Sequence, residues 1–289
     1  MSAATATPHV ASALLEDAAR HRGFEVRRWD RALVFVRLGA ATLPFHELNG
    51  PDASEAGRLL GTHRDGQRTI LRSRGIAVPD AATFATIDPK RALRYANRLG
   101  WPVTVRPARR GGEEGVSRDV ADESAFAEAW DRAVEASGGR TGGPVLVEEQ
   151  VAGTSFHVVV VDGAVVAAAQ LVDSPAGDTA DVSAGDTVDV TDVIGAPLGE
   201  LAAAAVTAIP GLAYGGVEIT APTGTDGPGH GKSEPRAVVT HVDSLLRRQV
   251  QALTQERAEA VAGAIVDHYR YSPRWTIVRE TPYRSMTDA

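Results

Sequence analysis

The sequence contains no cysteine, which excludes disulfides, thiolate metal sites and a cysteine nucleophile, and agrees with a cytoplasmic setting. It has no apolar run long enough to cross a bilayer, so no membrane partner is expected. The opening MSAATATPHV lacks the basic and apolar stretches of a secretory leader. A basic surplus is missing too: the formal net charge is -7, the reverse of what nucleic-acid binding calls for. There is no HExxH, no GxSxG around a serine and no GxGxxG between a strand and a helix, which argues against zinc hydrolysis, a serine triad and a dinucleotide fold. No internal repeat is visible.

What remains is a chain of 289 residues with 43% hydrophobic and 23% charged residues, the balance of a globular protein with a sizeable core. Arginine far outnumbers lysine. Local basic clusters fall at Arg27, Arg28 and Arg31, at Arg109 and Arg110, and at Arg247 and Arg248. The first and last read as solvated surface, while the middle one sits beside glycines and invites a functional reading.

Periodicity predicts a helix over 10–22, short strands in GFEVRRW and RALVFVRLG, and a helix in THRDGQRTILRSRG ending at Gly75. IAVPDAATF reads as extended. A helix starts at Asp88, which can cap it, with Pro89 in the first turn. A buried strand at Val103–Arg106 then runs into a basic, glycine-rich loop. A helix over about 124–136, a strand in PVLVEEQ and a hairpin turning at Asp162 and Gly163 follow. SPAGDTADVSAGDTVDV reads as a surface loop, Leu198–Ala208 as a helix, YGGVEITAP and RAVVTHVDS as strands, TGTDGPGHGKSEP as an insertion and Glu256–Tyr269 as a closing helix. This order predicts a mixed α/β (α+β) architecture, two lobes with a ligand between them.

Three places carry chemistry. Arg106 on a strand, followed by Arg109, Arg110, Gly111, Gly112 and Gly115, makes either a phosphate site or an ordinary turn; Glu113 and Glu114 oppose phosphate. Glu218, in an apolar strand, is either a Mg²⁺ ligand helped by Asp243 or His241, or a solvent-facing residue. His241 and Asp243, two apart, share one side of a strand. His157, alone among apolar neighbours, reads as a structural histidine.

The succession ALLEDAARHRGFEV, RTILRSRGIAVPDAATF, GWPVTVRPARRGGEEGV, PVLVEEQVAGTSFHVVVVDGAVVAA, GLAYGGVEI and AVVTHVDS resembles an ATP-grasp ligase, most of all the ATP-grasp portion of cyanophycin synthetases. The resemblance covers residues 12 to 269. It implies an N-terminal subdomain and linker over 1–80, a small lobe with the glycine-rich loop over 81–153, and a large lobe with the metal-site strands over 154–289. It implies use of ATP and Mg²⁺ to turn a carboxylate into an acylphosphate that an amine attacks, on an amino acid or short peptide. Carried over by position, Arg64 and Arg106 meet the nucleotide phosphates and Gly111, Gly112 and Gly115 belong to the loop that covers them. Glu148 lies near the adenine amino group, Glu149, Gln150 and Val151 form the hinge that reads adenine, and Ser155 takes the ribose position. Arg106, Arg109 and His157 are expected in catalysis, and Glu218, His241 and Asp243 at the metal. A homodimer or a complex with a partner enzyme is compatible with the family.

The chain also departs from the family's pattern. Arginine replaces lysine at Arg64 and Arg106, Ser155 replaces an acid, and His157 replaces a basic residue. His241 and Asp243 stand where an acid and an asparagine are usual, and Leu245 and Leu246 follow where proline and glycine are common. A second reading is therefore a degenerate relative that keeps the fold and serves as a nucleotide-binding, regulatory or structural subunit.

Overall fold

The computed structural model describes residues 9–109, 114–172, 186–222, 236–272 and 275. Among them no helix is long and apolar enough to cross a membrane. Twelve strands form three antiparallel sheets, each with its own hydrophobic core against helices.

The first sheet, ordered β1-β2-β3, is built from Glu25–Arg28, Leu33–Leu38 and Ala41–His46. No element is expected from the sequence at β3, which carries Pro44, a residue that the middle of a sheet does not accept. It is tolerated here because β3 pairs only with β2 and lies at the sheet's edge. Helix α1 (Val10–His21) buries Ala11, Leu14, Leu15, Ala18 and Ala19, one stripe at helical spacing. Counting α2 (Glu55–Leu60), α3 (Arg64–Ser73), α4 (Pro89–Leu99), α5 (Glu123–Ala136), α6 (Ala196–Ala208), α7 (Arg247–Ala252) and α8 (Gln255–Tyr271), the last presents the matching stripe. Its Ala258, Val261, Ala262, Ile265, Val266 and Tyr269 are buried in the same core as α1. Small residues on both stripes let the two helices approach closely. Arg22 closes the seam with a two-pronged pair to Asp267, at 2.8 and 2.7 Å.

The second sheet runs β4-β7-β5-β6: Ala81–Phe84, Val145–Glu149, Val103–Pro107 and Ser117–Val120. Helices α4 and α5 cover it through Ala92, Ala96, Phe126, Trp130 and Ala133, which pack in one core with Phe84 of β4. Asp122 caps α5 by accepting from the Ala125 N–H at 2.9 Å. Asp88 precedes α4 as expected, yet its side chain makes no capping bond.

The third sheet, β10-β9-β8-β11-β12, holds Thr187–Asp189, Ala164–Leu171, Thr154–Val161, Tyr214–Ala221 and Val238–Asp243. Both faces are covered, so its strands are apolar on both sides. Val159 and Val161 enter the core shared with α1 and α8, while Val158 and Val160 enter the core under α6. The β8–β9 hairpin turns at Asp162 and Gly163, both with positive φ, as its Asp-Gly pair predicts. The segment read as a surface loop ends in a strand: β10 pairs with β9, and Thr187 donates to the Ala252 carbonyl at 2.6 Å. The rest of that loop, the insertion over 223–235 and the tail beyond 275 lie outside the described residues.

β7 crosses to β8 at Gly153, where the backbone adopts φ +151 and a β-carbon would sit 2.2 Å from the Ala221 carbonyl oxygen. Gly153→Ala should therefore cost about 1–3 kcal/mol of stability, the scale of one strained backbone site. A thermal melt unchanged from wild type would show that β8 and β11 can separate to admit a methyl group.

Candidate functional site

The second and third sheets meet at a cleft of about 340 Å³ lined by residues from both. Strand alternation delivers many of them. Along β8, the face that sends Val159 and Val161 into the core sends His157 and Ser155 into the cleft. Cross-strand register then aligns His157 of β8, Glu218 of β11 and His241 of β12 in one row.

The cleft is rich in guanidinium groups. Arg64, Arg106, Arg118 and Arg248 line the cleft. Arg64, at the start of α3, is buried and donates to the Thr240 carbonyl at 3.1 Å. Burial lowers its pKa against the opposing pull of Glu218 and Glu148, yet a guanidinium stays charged in a protein. Arg106 is buried by its place in the middle of the small sheet. Arg248, in the first turn of α7, pairs with Glu218 at 3.2 Å.

The end of β7 and the connection to β8 line the same cleft through Glu148, Glu149, Gln150 and Val151. Gln150 is held by Thr104, whose hydroxyl donates to its Oε1 at 2.5 Å, and Glu149 accepts from the Asp80 N–H at 3.2 Å. The Glu148 carboxylate, expected to be available to a ligand, is buried and ion-paired with equally buried Arg68. Nothing in the sequence of α3 singled out Arg68; its partner lies 80 positions away, and only the fold joins them.

Gln67 fixes the far end of the row. Its amide nitrogen donates to the Leu60 and Val242 carbonyls, each at 2.7 Å. Its oxygen accepts from the Val242 N–H at 3.0 Å. With the amide oriented by these three backbone groups, that oxygen also faces His241 Nδ1 at 3.1 Å, and Nδ1 must carry the proton. The neutral ring is favoured as well, because burial and the nearby Arg64 push the His241 pKa well below its ordinary value. Burial likewise lowers His157, whose Nδ1 is buried without a hydrogen-bond partner. Burial alone would raise Glu218, but the guanidinium charges of Arg64 and Arg248 beside it help hold it well below the usual carboxylate range.

The three expected metal residues do not form a cage by themselves: among the described residues no three His, Asp or Glu side chains are placed to hold one ion. Glu218 is paired with Arg248. His241 spends Nδ1 on Gln67, which leaves its Nε2 lone pair over. Asp243 Oδ1 accepts from the Leu245 N–H at 2.8 Å, and burial raises its pKa, which disfavours the charged form a metal needs. These side chains alone fit Mg²⁺ poorly, because it prefers oxygen and the one carboxylate held in its charged form, Glu218, is shared with a guanidinium.

The cleft gathers Arg64, Arg106, Glu148, Glu149, Gln150, Val151, Ser155, His157 and Glu218. Arg109 is exposed and does not line it. Gly115 is explained by packing, since a β-carbon there would meet Ala136 Cβ at 2.4 Å. Gly111, Gly112, Arg110 and Glu113 lie outside the described residues. The Arg247–Arg248 pair, read as solvated surface, is the main correction: Arg247 grips buried Glu47 at 2.5 to 3.0 Å, and Arg248 reaches the cleft. Arg28 is corrected in the same way, pairing with buried Glu16 at 2.5 Å.

A family model described as carbamoyl-phosphate synthase L chain, ATP binding domain, matches residues 64–163. A cyanophycin synthetase from Synechocystis sp. is 30% identical over 152 residues, covering 52% of this chain and 17% of that protein. The chain thus matches about a sixth of that relative's length. The ATP-grasp ligase PsnB, solved with precursor peptide PsnA2 and AMPPNP, superimposes with a TM-score of 0.58 at 14% identity, over 90% of this chain and 94% of its own. D-alanine–D-alanine ligase from Bacillus anthracis does so with a TM-score of 0.55 at 18% identity, over 79% and 71%.

Two outcomes follow from the buried charges. The unfolded chain takes up histidine protons near pH 6.5, whereas folded His241 and His157 resist them. Their stabilising contribution is complete above that pH and is lost as pH falls below it. Asp243, raised by burial, has the opposite sign at lower pH. His241→Asn, whose amide can still donate to Gln67, should flatten the fall in melting temperature between roughly pH 7.5 and 5.5; an unchanged slope would assign the acid sensitivity elsewhere. Arg68→Met should leave Glu148 buried without its counter-charge and cost about 3–5 kcal/mol in a denaturant titration. A loss near zero would mean that the Glu148 carboxylate is satisfied without Arg68.

Proposed function

We propose that this chain, which has the ATP-grasp fold, binds ATP in the arginine-lined cleft and uses it to join a carboxylate to an amine. The single observation that carries the reading is the joint lining of one cleft by three guanidinium groups, Arg64, Arg106 and Arg248, and by the β7–β8 connection. A nucleotide would match that lining, with its phosphates on the guanidinium forks and its base against the backbone of Glu149, Gln150 and Val151. Ser155 follows that connection and lines the same cleft, where a ribose hydroxyl would meet a hydroxyl rather than an acid.

In this reading a substrate carboxylate attacks the terminal phosphorus and ADP leaves, giving an acylphosphate. An amine then attacks the acyl carbon, loses a proton and expels phosphate, so that an amide forms. No side chain serves as nucleophile. The protein's part is to align the reactants and to hold positive charge where negative charge develops, which Arg106 and Arg64 supply. His157, neutral and with an unpartnered nitrogen, stands in the same row as Glu218 and can accept or pass a proton at the cleft wall. The cyanophycin synthetase match and the ligases of similar fold support an amino acid or short peptide as substrate. Mg²⁺, the ion expected with ATP, would find Glu218 already held by Arg248, and no step is assigned to it.

That last observation favours a second reading, in which the chain binds nucleotide without turning it over and acts as a regulatory or structural subunit. Release of ADP in the presence of paired amino acids separates the two, since only the ligase yields it.

Arg106→Ala should weaken a non-hydrolysable ATP analogue by about tenfold or more, the loss of one hydrogen bond between charged groups, while adenosine binding changes little. Equal losses for both ligands in a calorimetric titration would show that Arg106 does not meet phosphate.

A further inference from the structure

We infer that Arg248 takes the place of a divalent cation at the phosphate end of the cleft, so that the chain accepts nucleotide free of metal. The inference rests on the nucleotide reading above and goes further, naming the charge state of the ligand.

The segment after β12 is built to present this side chain. Asp243, at the end of the strand, spends Oδ1 on the Leu245 N–H and so shapes the turn. Leu246 follows in the left-handed region, at φ 57, and is fully buried in the core under α8. Arg247 is locked onto Glu47, and Gln249 packs against Gly216, where a β-carbon would lie 2.3 Å from its Cδ. Three of the four residues around the turn are thus fixed by groups away from the cleft. Arg248 alone of them lines it.

Its guanidinium meets the Glu218 carboxylate at 3.2 Å, both side chains largely buried. An ion at Glu218 would share that carboxylate with a guanidinium, would find Asp243 engaged at the turn, and of His241 would find only a nitrogen, Nε2, left over by Gln67. A phosphate faces no such obstacle. It offers the guanidinium the same charged, fork-matching acceptor that Glu218 now provides, and the long side chain can pass from one to the other by rotation. Arg64 and Arg106 line the same cleft, and with Arg248 all three act on the His241 ring. Three fixed positive charges at this end do what cations bridging phosphates do elsewhere: they offset charge without a ligand cage.

The test is calorimetric titration of the full chain with a non-hydrolysable ATP analogue, once in EDTA and once in excess Mg²⁺. The wild type should bind in EDTA, with affinity within about threefold of that in Mg²⁺. Arg248→Ala should lose about tenfold or more in EDTA. Glu218→Gln, which releases Arg248, should bind the metal-free analogue at least as tightly as wild type. Thermal melts of each variant establish that it is folded. Binding of the wild type only with Mg²⁺ overturns the inference and leaves the nucleotide reading standing. So does a folded Arg248→Ala that binds in EDTA like wild type, or a folded Glu218→Gln that binds there more than tenfold more weakly. No binding of the wild type under either condition overturns the nucleotide reading and this inference with it.

Discussion

A guanidinium removed from bulk water must find acceptors for its rigid fork, and this fold is arranged around several that have been removed. Arg64, Arg68 and Arg106 are all buried where the two larger sheets face each other. Each satisfaction crosses from one part of the fold to another. Arg68 on α3 meets Glu148 on β7, Arg64 on α3 meets the backbone of β12, and Arg248 on α7 meets Glu218 on β11. Buried pairs of this kind add little net stability compared with apolar packing, but they penalise any arrangement that separates the partners. They hold the cleft to one shape.

The polar row across the third sheet follows from the same constraint. A strand packed on both faces can keep a histidine or a carboxylate only where a cavity or a polar partner receives it, and His157, Glu218 and His241 stand in register mid-strand, the first two on the cleft and the third against Gln67. Gln67 is the quiet member of the set. One amide ties α3 to the β12 backbone and, by its own orientation, decides which nitrogen of His241 is protonated. The cleft's chemistry is therefore specified from outside the cleft.

How much of this can be read from the sequence depends on distance along the chain. Alternation and turn chemistry expose most of the regular elements, because β8, β9, β11 and α8 announce themselves within a few residues. β3 escapes because Pro44 is forbidding only when a strand has neighbours on both sides, and edge status is a property of the sheet. The cleft residues carried by strand positions, such as Arg106, Ser155 and Glu218, are legible because a polar side chain in an apolar strand needs a reason. Arg68, Gln67 and Arg248 are not, since an arginine or glutamine on a helix reads as solvated until its partner is known. The metal expectation at His241 and Asp243 came from residue types two apart on one strand. What the sequence could not show was that Glu218 lies against Arg248 and that Asp243 spends one oxygen on its own turn.

The seam between α1 and α8 has a bearing on how the molecule is made. Arg22 and Asp267 stand 245 positions apart, yet the first and last helices share one core with β2 and β3. On the ribosome, α1 and the first sheet emerge before α8, with an apolar stripe and no partner for it until that helix follows. Closure of that core is the most non-local event in the fold and carries the largest loop entropy. The small sheet, with β4 to β7 and both covering helices drawn from one continuous stretch, has no such delay. Synthesis thus imposes an order in which the small sheet and its helices mature first, so that this face of the cleft's third sheet is backed only once α8 has emerged.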